Sequence, residues 1–200
     1  ADLQSRIWSS SSFLLWAAKV WDSDYAGSDG SSVAGQAELM LQNDRYIFEI
    51  TRTVIGEAFD PALGFVPRPD QKRWGGQVGV QPRFENSSWV RQFFLALGAN
   101  HIQGIDGEKQ SHFRRLTARL DFQSGDRANL AFTERFEGLS EHARINGRMV
   151  SAGDYRFRRL SAGFTPDRAR SLGLKFNAAL GDFWSGTRTE LGGGLVWIAN

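Results

Sequence analysis

Apolar and polar residues alternate one for one along most of the chain, and a period of two belongs to strands, not helices. Between residues 172 and 180, Leu172, Leu174, Phe176, Ala178 and Leu180 form one face, with Gly173, Lys175, Asn177 and Ala179 on the other. Residues 112–123 read the same way, with Leu116, Ala118, Leu120 and Phe122 opposing Arg115, Thr117, Arg119 and Asp121. Ala128, Leu130 and Phe132 oppose Asn129, Thr133 and Arg135; Trp74, Gly76, Val78 and Val80 oppose Gln77, Gly79 and Gln81; Val33, Ala37, Leu39 and Leu41 oppose Gln36, Glu38 and Gln42. Two segments depart from the rule. Residues 13–21 are apolar on both faces, and between Tyr155 and Phe164 the apolar face switches sides, as a bulge near Arg158 and Arg159 would make it do. The pattern predicts an all-β, antiparallel chain of about ten strands, an even count of the kind found in up-and-down barrels of bacterial outer membranes.

The connections sharpen this expectation. Asn43-Asp44, Glu85-Asn86-Ser87, Ser124-Gly125-Asp126 and Thr165-Pro166-Asp167 are compact hairpin signals. Between them fall longer links at 22–31, 56–70, 100–110 and 138–152. Short turns alternating with long loops are what a transmembrane barrel has at its periplasmic and extracellular ends. Trp21, Trp74, Trp89, Trp184 and Trp197 fall near the predicted strand ends, the position of interfacial aromatic girdles. No linker or shift in composition divides the chain, so residues 1–200 read as a single barrel domain or part of a larger barrel.

Composition removes other classes. There is no cysteine, hence no disulfide framework and no thiolate metal site. No run approaches the ~18 apolar residues of a membrane helix, a test that strands alternating between lipid and lumen do not have to meet. Arginine far outnumbers lysine, but the formal net charge is only +2, too small a field for nucleic acid.

Candidate chemistry is sparse. His101, His112 and His142 fall in separate elements without metal-ligand spacing, and Asp22, Asp24 and Asp29 open like a calcium loop but lack its closing carboxylate, with Val33 in that place. No nucleophile elbow or phosphate loop occurs, and Gly192-Gly193-Gly194 lies in a strand with no helix after it. The expectation is no catalytic residue, no cofactor and no metal. What remains is the polar face. Gln36, Glu38, Gln77, Gln81, Arg115, Arg119, Asp121, Lys175, Asn177, Arg188 and Glu190 are candidates for lining a lumen, wet if the barrel is wide and mutually paired if it is narrow.

One segment carries more than pattern. Residues 55–68 read Ile-Gly-Glu-Ala-Phe-Asp-Pro-Ala-Leu-Gly-Phe-Val-Pro-Arg. This resembles the G-x-x-F-x-P-x-x-G-F-V-x-R element of a bacterial family of unknown function, in which a carbohydrate-binding family 9-like module precedes a C-terminal outer-membrane-type barrel. The strand, hairpin and strand before the element and the strand after it fit the same layout. The resemblance implies a Gram-negative envelope protein and no known reaction. It also makes Phe59, Pro61, Gly64, Phe65, Pro67 and Arg68 candidates for an ordered extracellular loop, with glycines for unusual backbone angles and prolines for stiffness. The chain departs from the family in lacking the sugar-binding module and in ending Ala199-Asn200, where a barrel-assembly signal has an aromatic residue.

The resulting expectation is an outer-membrane protein in contact with lipid, acting as a passive channel or envelope scaffold. A small solute or saccharide and other envelope proteins are its candidate partners, and nucleic acid is not. A soluble β-sandwich or lipocalin-like binding module stays open, as does a structural barrel subunit of a larger envelope complex. Arg52 and Arg91 separate these readings, because each shares a face with apolar neighbours and an arginine at mid-membrane costs about 2–4 kcal/mol. In a membrane barrel both belong near an interface.

Overall fold

The computed structural model describes residues 2–8, 11–21, 32–61, 66, 69–145, 147–184 and 186–197. Among the described residues there are strands and no helix. One sheet of 11 strands takes in β1 (Asp2–Trp8), β2 (Ser11–Lys19), β3 (Val33–Gln42), β4 (Tyr46–Ile55), β5 (Gln71–Val80), β6 (Val90–Gln103), β7 (Lys109–Phe122), β8 (Arg127–Leu139), β11 (Gly153–Thr165), β12 (Leu172–Phe183) and β13 (Gly186–Trp197). A small hairpin, β9 (Ala143–Ile145) with β10 (Arg148–Val150), occupies the link between β8 and β11. Every neighbouring pair is antiparallel and strand order follows chain order, so the topology is up-and-down. β1 and β13 are the two edges and do not pair with each other, so the sheet is not closed.

Three expectations need correction. The sheet has 11 strands where the pattern suggests about ten; β1, whose sequence has no regular alternation, is the strand least visible in it. The link expected over 100–110 shrinks to a turn at 104–108, because β6 and β7 extend to Gln103 and from Lys109. No bulge occurs at Arg158 and Arg159, since β11 pairs with β8 without a break from Gly153 to Thr165. Register shifts occur instead between Arg6 and Trp8, Val90 and Gln92, and Ile102 and Gln103.

Local chemistry closes the turns. At β3–β4 the Asn43 side-chain oxygen accepts the N–H groups of Arg45 and Tyr46, both at 2.8 Å. At β7–β8, Phe122 N–H donates to the Asp126 carbonyl at 2.9 Å, and Gly125 adopts φ +84°, a conformation costly for other residues. At the opposite end, Asp70 accepts the Ile105 N–H at 3.0 Å and Lys72 donates to the Ile105 carbonyl at 2.7 Å, so the entry to β5 is tied to the β6–β7 turn.

No second layer covers the sheet among the described residues, so its two faces differ through curvature alone. Most buried strand residues, among them Ala34, Ile47, Ala96, Ala131, Ala179, Gln71, Ser111 and Asp121, fall on the polar face by register, whereas Ser11, Val90 and Phe136 are buried on the other. Phe48, Leu97, Leu116, Phe132, Leu160 and Leu180 are exposed on the other. A single sheet shields the face it curls toward, so the polar face is the concave one. A soluble sandwich or barrel has the opposite arrangement, with its large apolar side chains turned inward.

Candidate functional site

Cross-strand pairing carries one apolar row across the sheet: Leu41, Phe48, Val78, Leu97, Leu116, Phe132, Leu160 and Leu180, on eight successive strands from β3 to β12. The apolar band around this row slopes. On β3 it runs from Val33 to Leu41, but on β13 the same row falls at Thr189, and the band there runs from Leu191 to Trp197. Its border on the short-turn side thus moves 8 residues, from Leu41's row to Trp197's, over the eight strand steps between β3 and β13. With about 3.4 Å per residue along a strand and about 4.8 Å between strands, that slope is a tilt of roughly 35°. The border on the loop side slopes slightly more steeply, from Val33 to Leu191. Along β3 the band is about 27 Å long.

Beyond the loop-side border the same face becomes charged. Arg114, Glu134, Arg158 and Asp182 occupy equivalent positions on β7, β8, β11 and β12. Glu134 lies 3.9 Å from Arg114, 3.4 Å from Arg158 and 3.8 Å from His112. This crossing explains the switch of faces along β11. Arg156 and Arg158 have left the apolar band, while Tyr155 and Phe157 turn to the concave face and pack edge-on against Trp184, at 4.9 and 5.1 Å between ring centres. Trp184 is therefore no girdle residue; Trp74 and Trp197 lie exposed on the apolar face near its two borders. Arg91 sits in the bulge at the turn end of β6, and Arg52 stacks over Trp74 at 4.6 Å on the loop side of β4.

The polar residues singled out from the sequence all fall on the concave side of the register, but they form separate groups. Gln36 donates to Glu38 at 3.2 Å and accepts from Thr53 at 3.3 Å. Asp121, which is 3 % exposed, accepts from Arg119 at 3.1 Å and Arg127 at 2.6 Å, and Arg119 also covers Phe94 at 4.7 Å. Glu190 pairs with Arg159 and, at 2.6 Å, with Arg188. Lys175 and Asn177 are exposed on β12; Gln77 and Arg115 occupy the same face of β5 and β7. Gln81 lies past the end of β5 and ties it to the neighbouring turn, donating to the Asn43 carbonyl at 2.7 Å.

One concavity gathers residues that strand-by-strand reading does not connect. A cavity of about 480 Å³ at the loop end is lined by Arg135, Phe157, Arg159, Trp184, Arg188 and their neighbours. Arg135 stacks on Phe113 at 5.6 Å and Arg188 on Phe183 at 5.4 Å. Guanidinium edges beside aromatic walls suit a small oxygen-rich solute with one apolar face. Of this group only Arg188 is among the lumen-lining candidates read from the sequence, because its partners come from β8, β11 and the β12–β13 turn and depend on register.

His101 and His112 face each other across β6 and β7, and His112 stacks on Phe136 at 5.2 Å. Among the described residues no group of three or more metal-ligating side chains gathers. In the 56–70 link, Gly56 donates to the Val33 carbonyl at 2.9 Å and Phe59 to the Gly56 carbonyl at 3.3 Å, with Phe59 and Pro61 half-buried. Gly64, Phe65, Pro67 and Arg68, like Asp22, Asp24 and Asp29, lie outside the described residues.

Compared with known proteins, the chain matches no family model, no curated protein and no solved structure.

Proposed function

We propose that this chain forms the wall of an outer-membrane β-barrel and serves as a passive channel or envelope scaffold. The sloping apolar band carries the reading. A tilt of roughly 35° falls at the edge of the ~35–45° range of transmembrane barrels, and the band's ~27 Å strand length projects to roughly 22 Å, close to their ~25 Å apolar height. A continuous apolar surface of this extent on one face needs a lipid or protein cover. The charged belt beyond its loop side and the polar concave face match the wet parts of such a wall.

The open edges support the larger version of the barrel. β1 and β13 run in the same direction, since the sheet alternates through 11 strands. Joining them directly would pair them parallel, so an all-antiparallel wall needs an odd number of further strands between them. In lipid those edges must be paired, because unsatisfied backbone groups cost several kcal/mol each. A saccharide as the solute rests on the family resemblance and on the arginine and aromatic lining of the loop-end cavity.

The test is solubility of the folded chain without detergent, followed by heat-modifiable migration on a denaturing gel. Detergent dependence with a heat-sensitive fast band is expected, and conductance in planar bilayers is the next measurement. A monodisperse protein in plain buffer would overturn the reading in favour of a soluble β module.

A further inference from the structure

We infer that the apolar face holds one anionic lipid with a phosphate-monoester headgroup in a groove over Gly76 and Ala99. This rests on the membrane-barrel reading and adds a specific site to it. Gly76 and Ala99 pair directly across β5 and β6, between Ile50 on β4 and Arg114 on β7 in the same row. Two minimal side chains between two long ones leave a trough. A groove of about 430 Å³ follows, with Phe48, Val78 and Leu97 along its flanks toward the short-turn end. It therefore opens directly into the apolar band, as a site for an acyl chain must.

Its loop-side rim is cationic. Trp74, His101 and His112 border the groove, and Arg114 closes its β7 side. Arg52 belongs to the same row as Trp74 and His101, and lies over the Trp74 ring with its Nη1 atom buried and without a hydrogen-bond partner. Glu134 is the carboxylate beside Arg114, and it is shared with Arg158 and His112. Positive charge is in surplus where apolar surface ends, and an unsatisfied guanidinium nitrogen stands beside it. A phosphate on an acyl-chain lipid complements both features, its oxygens meeting Arg52 and Arg114 while the chain fills the trough. Gly76 is fixed by the sheet itself, since a Cβ there would fall 2.4 Å from the Glu49 carbonyl oxygen. Ala99 has no such role, so its size can be changed to probe the groove.

The experiment titrates the refolded full chain in neutral detergent with dioctanoyl phosphatidic acid, with phosphatidylcholine of the same chain length, and with inorganic phosphate, read by native mass spectrometry. One phosphatidic acid is expected to be retained, with phosphatidylcholine bound about fivefold or more weakly and inorganic phosphate failing to displace it. Arg52→Gln with Arg114→Gln, and separately Ala99→Phe, are each expected to weaken retention by about fivefold or more while leaving heat-modifiable migration intact. Equal binding of both lipids, displacement by phosphate, unchanged retention in the variants, or a second copy of the chain covering the groove would each overturn the site while leaving the membrane barrel standing. A wild-type chain that stays monodisperse without detergent would overturn both, and the gel distinguishes the two failures.

Discussion

The carboxylate of Asp126, in the turn between β7 and β8, accepts the backbone N–H of Asp167 in the turn between β11 and β12 at 2.9 Å. The same side chain accepts from Ser124 at 2.8 Å and Arg170 at 2.6 Å. Two hairpin ends that flank β8 and β11 are thereby joined at the short-turn rim of the sheet. The Asp167 N–H first, then the Ser124 hydroxyl and the Arg170 guanidinium, hold the Asp126 carboxyl below its ordinary value against the opposing effect of burial.

Because that pKa is depressed in the folded chain, the link's contribution is present above the ordinary carboxylate range and is lost as pH falls through the lowered value. Asp126→Asn keeps an acceptor for Asp167 but removes the charge facing Arg170. Its melting temperature is expected to lie below that of the wild type at neutral pH, and the gap is expected to close on acidification below the ordinary aspartate range. Thermal melts across pH check this; a gap independent of pH would mean that the charge is not what joins the turns.

Gly125 sits under this link. Its φ is +84°, and a Cβ there would fall within 1.5 Å of the Asp167 carboxylate. Gly107, in the β6–β7 turn, has a similar φ of +95° but open space around it. Gly107→Ala is expected to cost only the left-handed backbone penalty, about 1–2 kcal/mol. Gly125→Ala is expected to cost that and also to displace Asp167, weakening the turn link. Urea unfolding of both variants checks the order, and equal losses would show that the close approach is unimportant.

Much of the sheet was legible because alternation and turn residues are local. Leu172, Leu174 and Phe176 announce their face within five residues, and Asn43 closes its turn through its own side chain. What was hidden is what depends on register between strands. His101 and His112 read as separate until β6 and β7 extend to a short turn and set them opposite each other. Tyr155 and Phe157 suggested a bulge, because sequence does not say where along a strand an apolar band ends. The band's end is a property of the tilted sheet, and β11 crosses it between Arg158 and Leu160. The loop-end cavity was missed for the same reason: Arg135, Arg159 and Trp184 come from three places in the chain.

That cavity gives the channel reading a chemical consequence. Arg135 contributes a guanidinium to the lining while stacked on Phe113. If ions pass this concave surface, Arg135→Glu is expected to lower anion-over-cation permeability several-fold by reversing a charge in the lining at the loop end. Reversal potentials under a salt gradient measure the ratio. Arg114→Glu, on the opposite face, is expected to leave it unchanged, and a shift in both variants or in neither would mean that solutes do not pass this surface.

The two faces of the sheet make the sharpest contrast at adjacent residues of β8. Leu130, 49 % exposed, lies near the middle of the apolar band, two residues from Phe132 and from Ala128 on the same face. Asn129 lies on the concave face, paired with Arg119 on β7 and Gly163 on β11. In a membrane wall, Leu130→Arg places a charge near the bilayer middle and is expected to cost about 2–4 kcal/mol, while Asn129→Arg faces water and costs less. In a soluble binding module the order reverses, since an arginine at an exposed Leu130 meets solvent and one at Asn129 crowds the concave interior. Denaturant titrations of both variants folded into lipid vesicles give the two costs directly, and the apolar band is lipid-facing only if the Leu130 substitution is the more damaging.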